Sequence, residues 1–254
     1  MLIDTHAHLY VEEFNEDRAE MVKRAIAAGI EKVLLPSIDS SETEALLALE
    51  SAFPTTCYAM MGLHPCYVKE NYEEELALVE SWLAKRPFKA VGEIGLDLYW
   101  DKTFFKQQQD AFEKQLNWAK HYEIPVSIHS REATDEAIEI VKSLKSKTLR
   151  GVFHCFGGTL EQANQIIDLG FKMGIGGVVT FKKSGLDILL QEIDLQHIVL
   201  ETDAPYLAPV PYRGKRNESS YLTLIAQKIA DIKGVSLAEV ERATSINAAL
   251  LFDL

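Results

Sequence analysis

Short apolar or β-branched runs recur along the chain at nearly even spacing. They fall at Leu2–Thr5, Lys32–Pro36, Thr56–Gly62 and Ala90–Ile94, then at Val126–His129, Gly151–His154, Lys172–Ile175 and His197–Glu201. Helical patterns with charged outer faces lie between most of them, at Glu16–Ala28, Ser41–Ser51, Glu73–Lys85, Phe105–His121, Ala133–Leu144 and Leu160–Leu169. Strands alternating with helices of this length build βαβ units around a parallel sheet. Eight such beats in 254 residues leave about 32 residues for each, the size of one unit. The expected fold is therefore α/β, a closed (β/α)8 TIM barrel in which residues 1–254 form a single domain. An open doubly wound sheet is the main rival. It normally carries a glycine-rich phosphate loop after its first strand, and here that place holds Asp4-Thr-His-Ala-His8. Gly174-Ile-Gly-Gly177 comes too late to open a dinucleotide unit. Ser236 followed by Glu239 predicts a capping box on a closing helix.

Composition narrows the function classes. Apolar residues at 47% and charged residues at 25% suit a globular core and exclude long disorder. No run of 18 apolar residues predicts a membrane span. The N-terminus lacks the basic start and apolar core of a signal peptide. Cys57, Cys66 and Cys155 are too scattered for a disulfide framework, so a reducing, cytoplasmic location is expected. The net charge of −12 argues against a protein that coats nucleic acid, but not against an enzyme that grips one phosphate.

Chemistry-bearing residues gather at the strand ends. His6 and His8 are two apart and face one side of an extended segment, at the end of strand one where barrel active sites form. His129 ends strand five, His154 ends strand six, Glu93 lies in Val91–Asp97, and Asp203 follows strand eight. A barrel brings these ends to one rim. Taken singly, His129 or His154 reads first as a satisfied core histidine. Together, four imidazoles and two carboxylates suffice for two metal ions if one carboxylate bridges.

The chain resembles the TatD family of metal-dependent hydrolases and deoxyribonucleases, within the amidohydrolase-like barrels. The resemblance rests on Ile3–Leu9, Gly62-Leu-His-Pro65, Gly92-Glu-Ile-Gly-Leu-Asp97, Pro125–Arg131, Phe153–Gly157, Glu201-Thr-Asp-Ala-Pro205 and Arg213–Glu218, in family order. It implies that His6, His8 and Asp203 hold one metal with Glu93, and that Glu93 bridges to a second held by His129 and His154. Glu93 and Asp203 become the catalytic carboxylates, with Asp203 accepting a proton from the attacking water. The implied cofactors are two divalent ions (zinc, magnesium or manganese). The implied activity is hydrolysis of DNA phosphodiester bonds by metal-activated hydroxide, as a 3′ to 5′ exonuclease on single-stranded ends. Neither a membrane nor an obligate protein partner is expected. Hydrolysis of a small amide, lactone or ester by the same metal pair is the alternative, and a non-catalytic metal-bound scaffold is a third. At Leu98-Tyr99 the chain departs from the two aromatics of many members.

The remaining candidates stay open between two readings. His64 contacts substrate phosphate by family resemblance, or merely stabilises its turn. Arg131, two after His129, faces the mouth to bind phosphate, or forms a surface ion pair. Arg213 and Arg216, after strand eight, take phosphate or belong to a solvated loop. Glu201 orients a ligand or is a buried acceptor, and Asp4 buttresses a ligand or caps backbone. Tyr99, Trp100, Phe104 and Phe105 stack a nucleobase or pack the following helix. Cys57 and Cys155 are expected in the core, Cys155 facing away from the metals; Cys66 has no assigned role.

Overall fold

Every apolar run forms a parallel strand in the computed structural model, which describes residues 2–254. The strands are β1 (Leu2–Asp4), β2 (Ile30–Leu35), β3 (Cys57–Ala59), β4 (Val91–Asp97), β5 (Val126–Arg131), β6 (Gly151–Phe153), β7 (Lys172–Ile175) and β8 (Ile198–Leu200). The helices between them are α1 (Arg18–Ala27), α2 (Thr43–Ala52), α3 (Tyr72–Lys85), α4 (Phe105–Tyr122), α5 (Thr134–Ser143) and α6 (Leu160–Asp168). Then follow α7 (Leu186–Glu192), α8 (Leu222–Lys233) and α9 (Leu237–Phe252). Two continuous ladders, β1-β2-β3 and β4 through β8, make up the wall. A parallel bridge from Met61 to Val91 joins them on one side. On the other, the Thr5 amide donates to the Leu200 carbonyl at 2.9 Å and closes the ring. The fold is the expected (β/α)8 barrel.

Alternation along the strands sorts the side chains. One set, including Leu2, Val33 and Leu35, packs outward against the helices. Ile3, Leu34, Met60, Val152 and Val199 form a separate inner cluster with Ala248, Leu251 and Phe252 of α9. The closing helix therefore plugs the N-terminal end of the barrel. Gly234 takes φ +65° at the end of α8, a left-handed cap that glycine adopts without penalty. The Ser236 side chain then accepts from the Glu239 amide and starts α9. A reciprocal capping box forms instead at Thr159 and Gln162, on α6.

α4 does more than cover the wall. Its apolar face buries Ala111, Phe112, Leu116 and Ala119, and the same face carries two buried glutamines, Gln108 and Gln115. Gln108 accepts from the Asp97 amide at 2.9 Å and donates to the Asp97 carbonyl. Gln115 clamps Leu63 in the same two-way manner. Each side-chain amide mimics a neighbouring strand, so the backbone beside Asp97 and His64 is fixed at the mouth.

Candidate metal centre

β1 ends at Asp4, and His6 and His8 lie on the segment beyond it. That segment does not keep the regular strand alternation, in which residues two apart would bond the same neighbour. The Thr5 amide bonds to Leu200 and the Ala7 amide to Leu34, on opposite neighbours. The irregularity still brings both imidazoles together, with their Nε2 atoms 3.3 Å apart. Glu93 sits inside β4 rather than at its end, where the β4–β5 register shifts between Val91 and Ile94. Asp203 lies past β8 with φ +57°, where the chain leaves the extended path.

Glu93 is the hub. Its Oε2 lies 3.0 Å from His6 Nε2 and 3.4 Å from His8 Nε2. Asp203 Oδ1 completes that side, 3.6 Å from His8 Nε2 and 3.9 Å from His6 Nε2. Glu93 Oε1 lies 2.8 Å from His129 Nδ1, 2.9 Å from His154 Nε2 and 3.3 Å from His64 Nε2. The predicted metal residues are thus brought together, one set on each carboxylate oxygen.

Hydrogen-bond accounting assigns the ring nitrogens. The Tyr10 hydroxyl donates to the Pro36 carbonyl at 2.6 Å. Towards His8 Nδ1, 3.2 Å away, it must therefore accept. His8 Nδ1 carries the proton, and in the neutral ring Nε2 presents a lone pair to Glu93 and Asp203. His129 Nε2 meets Asp97 Oδ2 at 2.8 Å. It donates there; burial opposes charge on the ring, but the bonds to Asp97 and Glu93 raise it above the ordinary imidazole value, and Nδ1 is turned to Glu93 Oε1 either as a donor or, once deprotonated, as a lone pair. Each nitrogen–oxygen contact needs positive charge between its atoms, which a proton or a metal ion can supply. This donor set fits divalent ions bound by imidazole and carboxylate. His64 is different. Its Nδ1 accepts from the Cys66 amide at 3.0 Å, so its Nε2 carries the proton and is a donor rather than a ligand.

Electrostatics follows this crowding. Burial opposes ionisation of Glu93, yet His154, His64 and His6 hold its carboxyl well below the usual range. Burial also opposes charge on His154, but Glu93 and Glu201 raise it well above the ordinary imidazole value. Burial pushes Asp203 up to about 6. Burial pushes the Cys66 thiol up to about 12, with Asp97 adding to the effect, so it is not a nucleophile at neutral pH.

A family model described as TatD related DNase matches residues 3–253. The chain belongs to the TatD-related DNase family of metal-dependent hydrolases. It is 36% identical over 254 residues to a Bacillus subtilis protein named uncharacterized metal-dependent hydrolase YabD, covering 99% of each chain. It is 33% identical over 259 residues to the 3′-5′ ssDNA/RNA exonuclease TatD of Erwinia tasmaniensis, covering 100% of each. Among solved structures, the Escherichia coli TatD homologue YjjV superposes with a TM-score of 0.94 at 31% identity, over 100% of this chain and 98% of that one.

The outer residues of this TatD-family site divide the open candidates. Glu201 is fully buried, with Oε1 3.4 Å from His154 Nδ1, and it accepts from the Cys155 amide. Its other oxygen lies where a Cβ on Gly174 would come within 2.0 Å; only glycine leaves it room. Asp4 accepts from the Thr202 amide at 2.9 Å and hydroxyl at 2.6 Å, tying β1 to the Asp203 loop. Cys57 is buried, whereas Cys155 lies just past β6 with φ +48° and is only partly buried. Arg216 is engaged in an ion pair. Asp17 receives both of its terminal nitrogens, at 2.7 and 2.8 Å. Arg213 is exposed, with its guanidinium 4.4 Å from the Phe181 ring centre. Arg131 lies over Tyr99 at the rim, not among the imidazoles.

Three positioning residues escaped the sequence reading: Asp97, Tyr10 and Ser127, whose hydroxyl lies 3.1 Å from His6 Nδ1. A signal was present. Asp97 is four after Glu93 and Ser127 two before His129, spacings that share a strand face, whereas Tyr10 lies in a turn beyond His8 where spacing gives no such signal.

Proposed function

We propose that the protein is a divalent-metal-dependent deoxyribonuclease that trims single-stranded DNA from its 3′ end. The observation that carries this reading is the convergence of His8 Nε2 and His129 Nδ1 on opposite oxygens of buried Glu93. His6, His8, Asp203 and Glu93 would hold one ion, and Glu93, His129 and His154 a second. Zinc, magnesium or manganese there would supply Lewis-acid charge and make a water a usable nucleophile near neutral pH. Asp203, partly open to solvent at 13% side-chain exposure, accepts the proton of the attacking water on a carboxylate oxygen. His64 donates its Nε2 proton to a phosphate oxygen, and Arg131 and Arg213 receive the flanking phosphates. The name of the Erwinia relative supports the direction and the single-strand preference.

The test is turnover on end-labelled single-stranded DNA and RNA by metal-stripped protein, with magnesium, manganese or zinc restored. Shortening from the 3′ end that needs metal and is lost in Glu93→Ala and Asp203→Ala is the expected result. No cleavage of either strand by folded, metal-loaded protein would overturn it, and lactones, amides and small esters would then be the substrates to screen.

A further inference from the structure

The aromatic cluster after β4 divides in two. Phe104 and Phe105 pack against the core. Tyr99 and Trp100 do not: they are 48% and 69% exposed. Tryptophan is usually among the more buried residues, so this exposure needs a reason. The turn that bears them is not loose. Asp97 Oδ1 accepts from the Tyr99 amide at 2.9 Å and the Trp100 amide at 3.1 Å. The Leu98 amide donates to the Arg131 carbonyl at 2.9 Å. The β4–β5 register pairs Asp97 with Arg131. Asp97 therefore holds His129 with one oxygen and the aromatic turn with the other.

The side chains complete a wall at the mouth. The Tyr99 and Trp100 rings meet edge to face, 4.8 Å apart at 87°. The Arg131 guanidinium lies 3.8 Å from the Tyr99 ring centre and 5.4 Å from that of Trp100. Stacking fixes its plane and leaves N–H donors on its edge, as phosphate recognition requires. An edge-to-face pair leaves the Trp100 ring with an open face. A chain of net charge −12 cannot draw in a polyanion by long-range attraction, whereas stacking needs no charge and accepts any base.

We propose that Tyr99, Trp100 and Arg131 form a nucleotide subsite, in which Trp100 stacks one unpaired base and Arg131 holds the phosphate beside it. The subsite rests on the nuclease reading and gives it a reason to favour single strands, since a paired base cannot leave its stack for the wall. Binding sets the base contribution and the metal residues set turnover, so the two are separable.

The experiment uses a thymidine oligonucleotide and a series in which a single abasic residue replaces each of the last nucleotides in turn. With wild-type holoenzyme, one abasic position raises KM by about 5- to 150-fold, the range for one stacked base. In Trp100→Leu the intact strand shows that raised KM, and the abasic penalty at that position disappears, while kcat is retained. Titration of metal-loaded Asp203→Asn with the intact strand quenches tryptophan fluorescence, and Trp100→Leu in that background removes the response. An abasic penalty of the same size in Trp100→Leu, or a variant that loses kcat alone, overturns the subsite while leaving the nuclease standing. Quenching by a strand that no metal-loaded form cleaves overturns the nuclease and retains the subsite. Neither quenching nor cleavage overturns both.

Discussion

At the N-terminal end of the barrel, Ile3, Leu34, Met60, Val152 and Val199 meet Ala248, Leu251 and Phe252, an apolar plug. At the C-terminal end, His6, His8, His129, His154 and His64 crowd the carboxylates of Glu93 and Asp203. β1, β6 and β8 each supply both ends, a few residues apart. Burying charge is expensive unless it is paired. The plug adds apolar burial and asks little of geometry, whereas the mouth needs each nitrogen fixed and adds little to stability. If that division is right, substitutions at the two ends should fail in different ways.

The largest effect is expected at the hub. Glu93→Gln keeps the volume but removes the charge that both ligand sets share. Activity should fall by at least about 10³-fold, because several kcal/mol of charge stabilisation depend on the ions it holds. Metal content after dialysis should fall with it, while the circular dichroism spectrum stays native. Full metal occupancy with normal turnover would show that Glu93 is not the hub.

The converse change is Phe252→Ala at the plug. Phe252 is 1% exposed, and emptying such a site costs about 3–5 kcal/mol. For a chain this long the melting temperature should drop by roughly 6–20 °C. Metal affinity and KM should not move. Lost metal binding at a temperature where the variant is still folded would mean that the plug also sets the mouth, and the division would fail.

A smaller change tests how finely the mouth is tuned. The Asp97→Asn side chain can still accept from the Tyr99 and Trp100 amides through its oxygen, so the rim turn should persist. Its nitrogen then faces His129 Nε2, which must accept instead of donate. The proton moves to Nδ1 and the lone pair aimed at Glu93 is lost. Such an outer partner is worth about 10- to 100-fold in metal affinity. Competition with a chelating dye should show that loss, against a nearly unchanged melting temperature for the chelated protein. Unaltered affinity would mean that His129 does not ligate through Nδ1.

The two ends also differed in how far they could be read beforehand. The strands were legible because β-branched runs and helical periodicity alternate at one spacing, and the ligand residues because each stands near the end of such a run. The position of α9 was not. Ser236 and Glu239 mark its start locally, but nothing local says that Leu251 and Phe252 will enter the barrel floor. Asp97 was readable in principle, four residues from Glu93 on one strand face. Arg216 was not, because its partner Asp17 is 199 positions away, and sequence spacing carries no information about such a pairing. Trp100 lay between the cases. Local sequence marks an aromatic cluster, but only the fold shows which members turn inwards.

The smallest expected effect asks whether the mouth side contributes to stability at all. Arg24 bonds Glu218 and Asp17, and Arg216 bonds Asp17, linking α1 to the loop after β8. Hydrogen bonds from Arg216 and Arg24 hold the Asp17 carboxyl well below its ordinary value. Burial opposes the same shift at Glu218, but Arg24 outweighs it. Depressed carboxyls stabilise the fold above their unfolded values, near pH 4, and lose that contribution as the pH falls through the folded values. The Arg24 side chain is 43% exposed, so solvent screening limits the network to about 1 kcal/mol. Arg24→Met should therefore lower the melting temperature by roughly 2–4 °C at pH 7. That gap should narrow as the pH falls below about 4, and it closes fully only below the depressed folded value of Asp17, under about pH 2. A gap of one size at both ends of that range would mean that the arginine stem acts by packing rather than by charge.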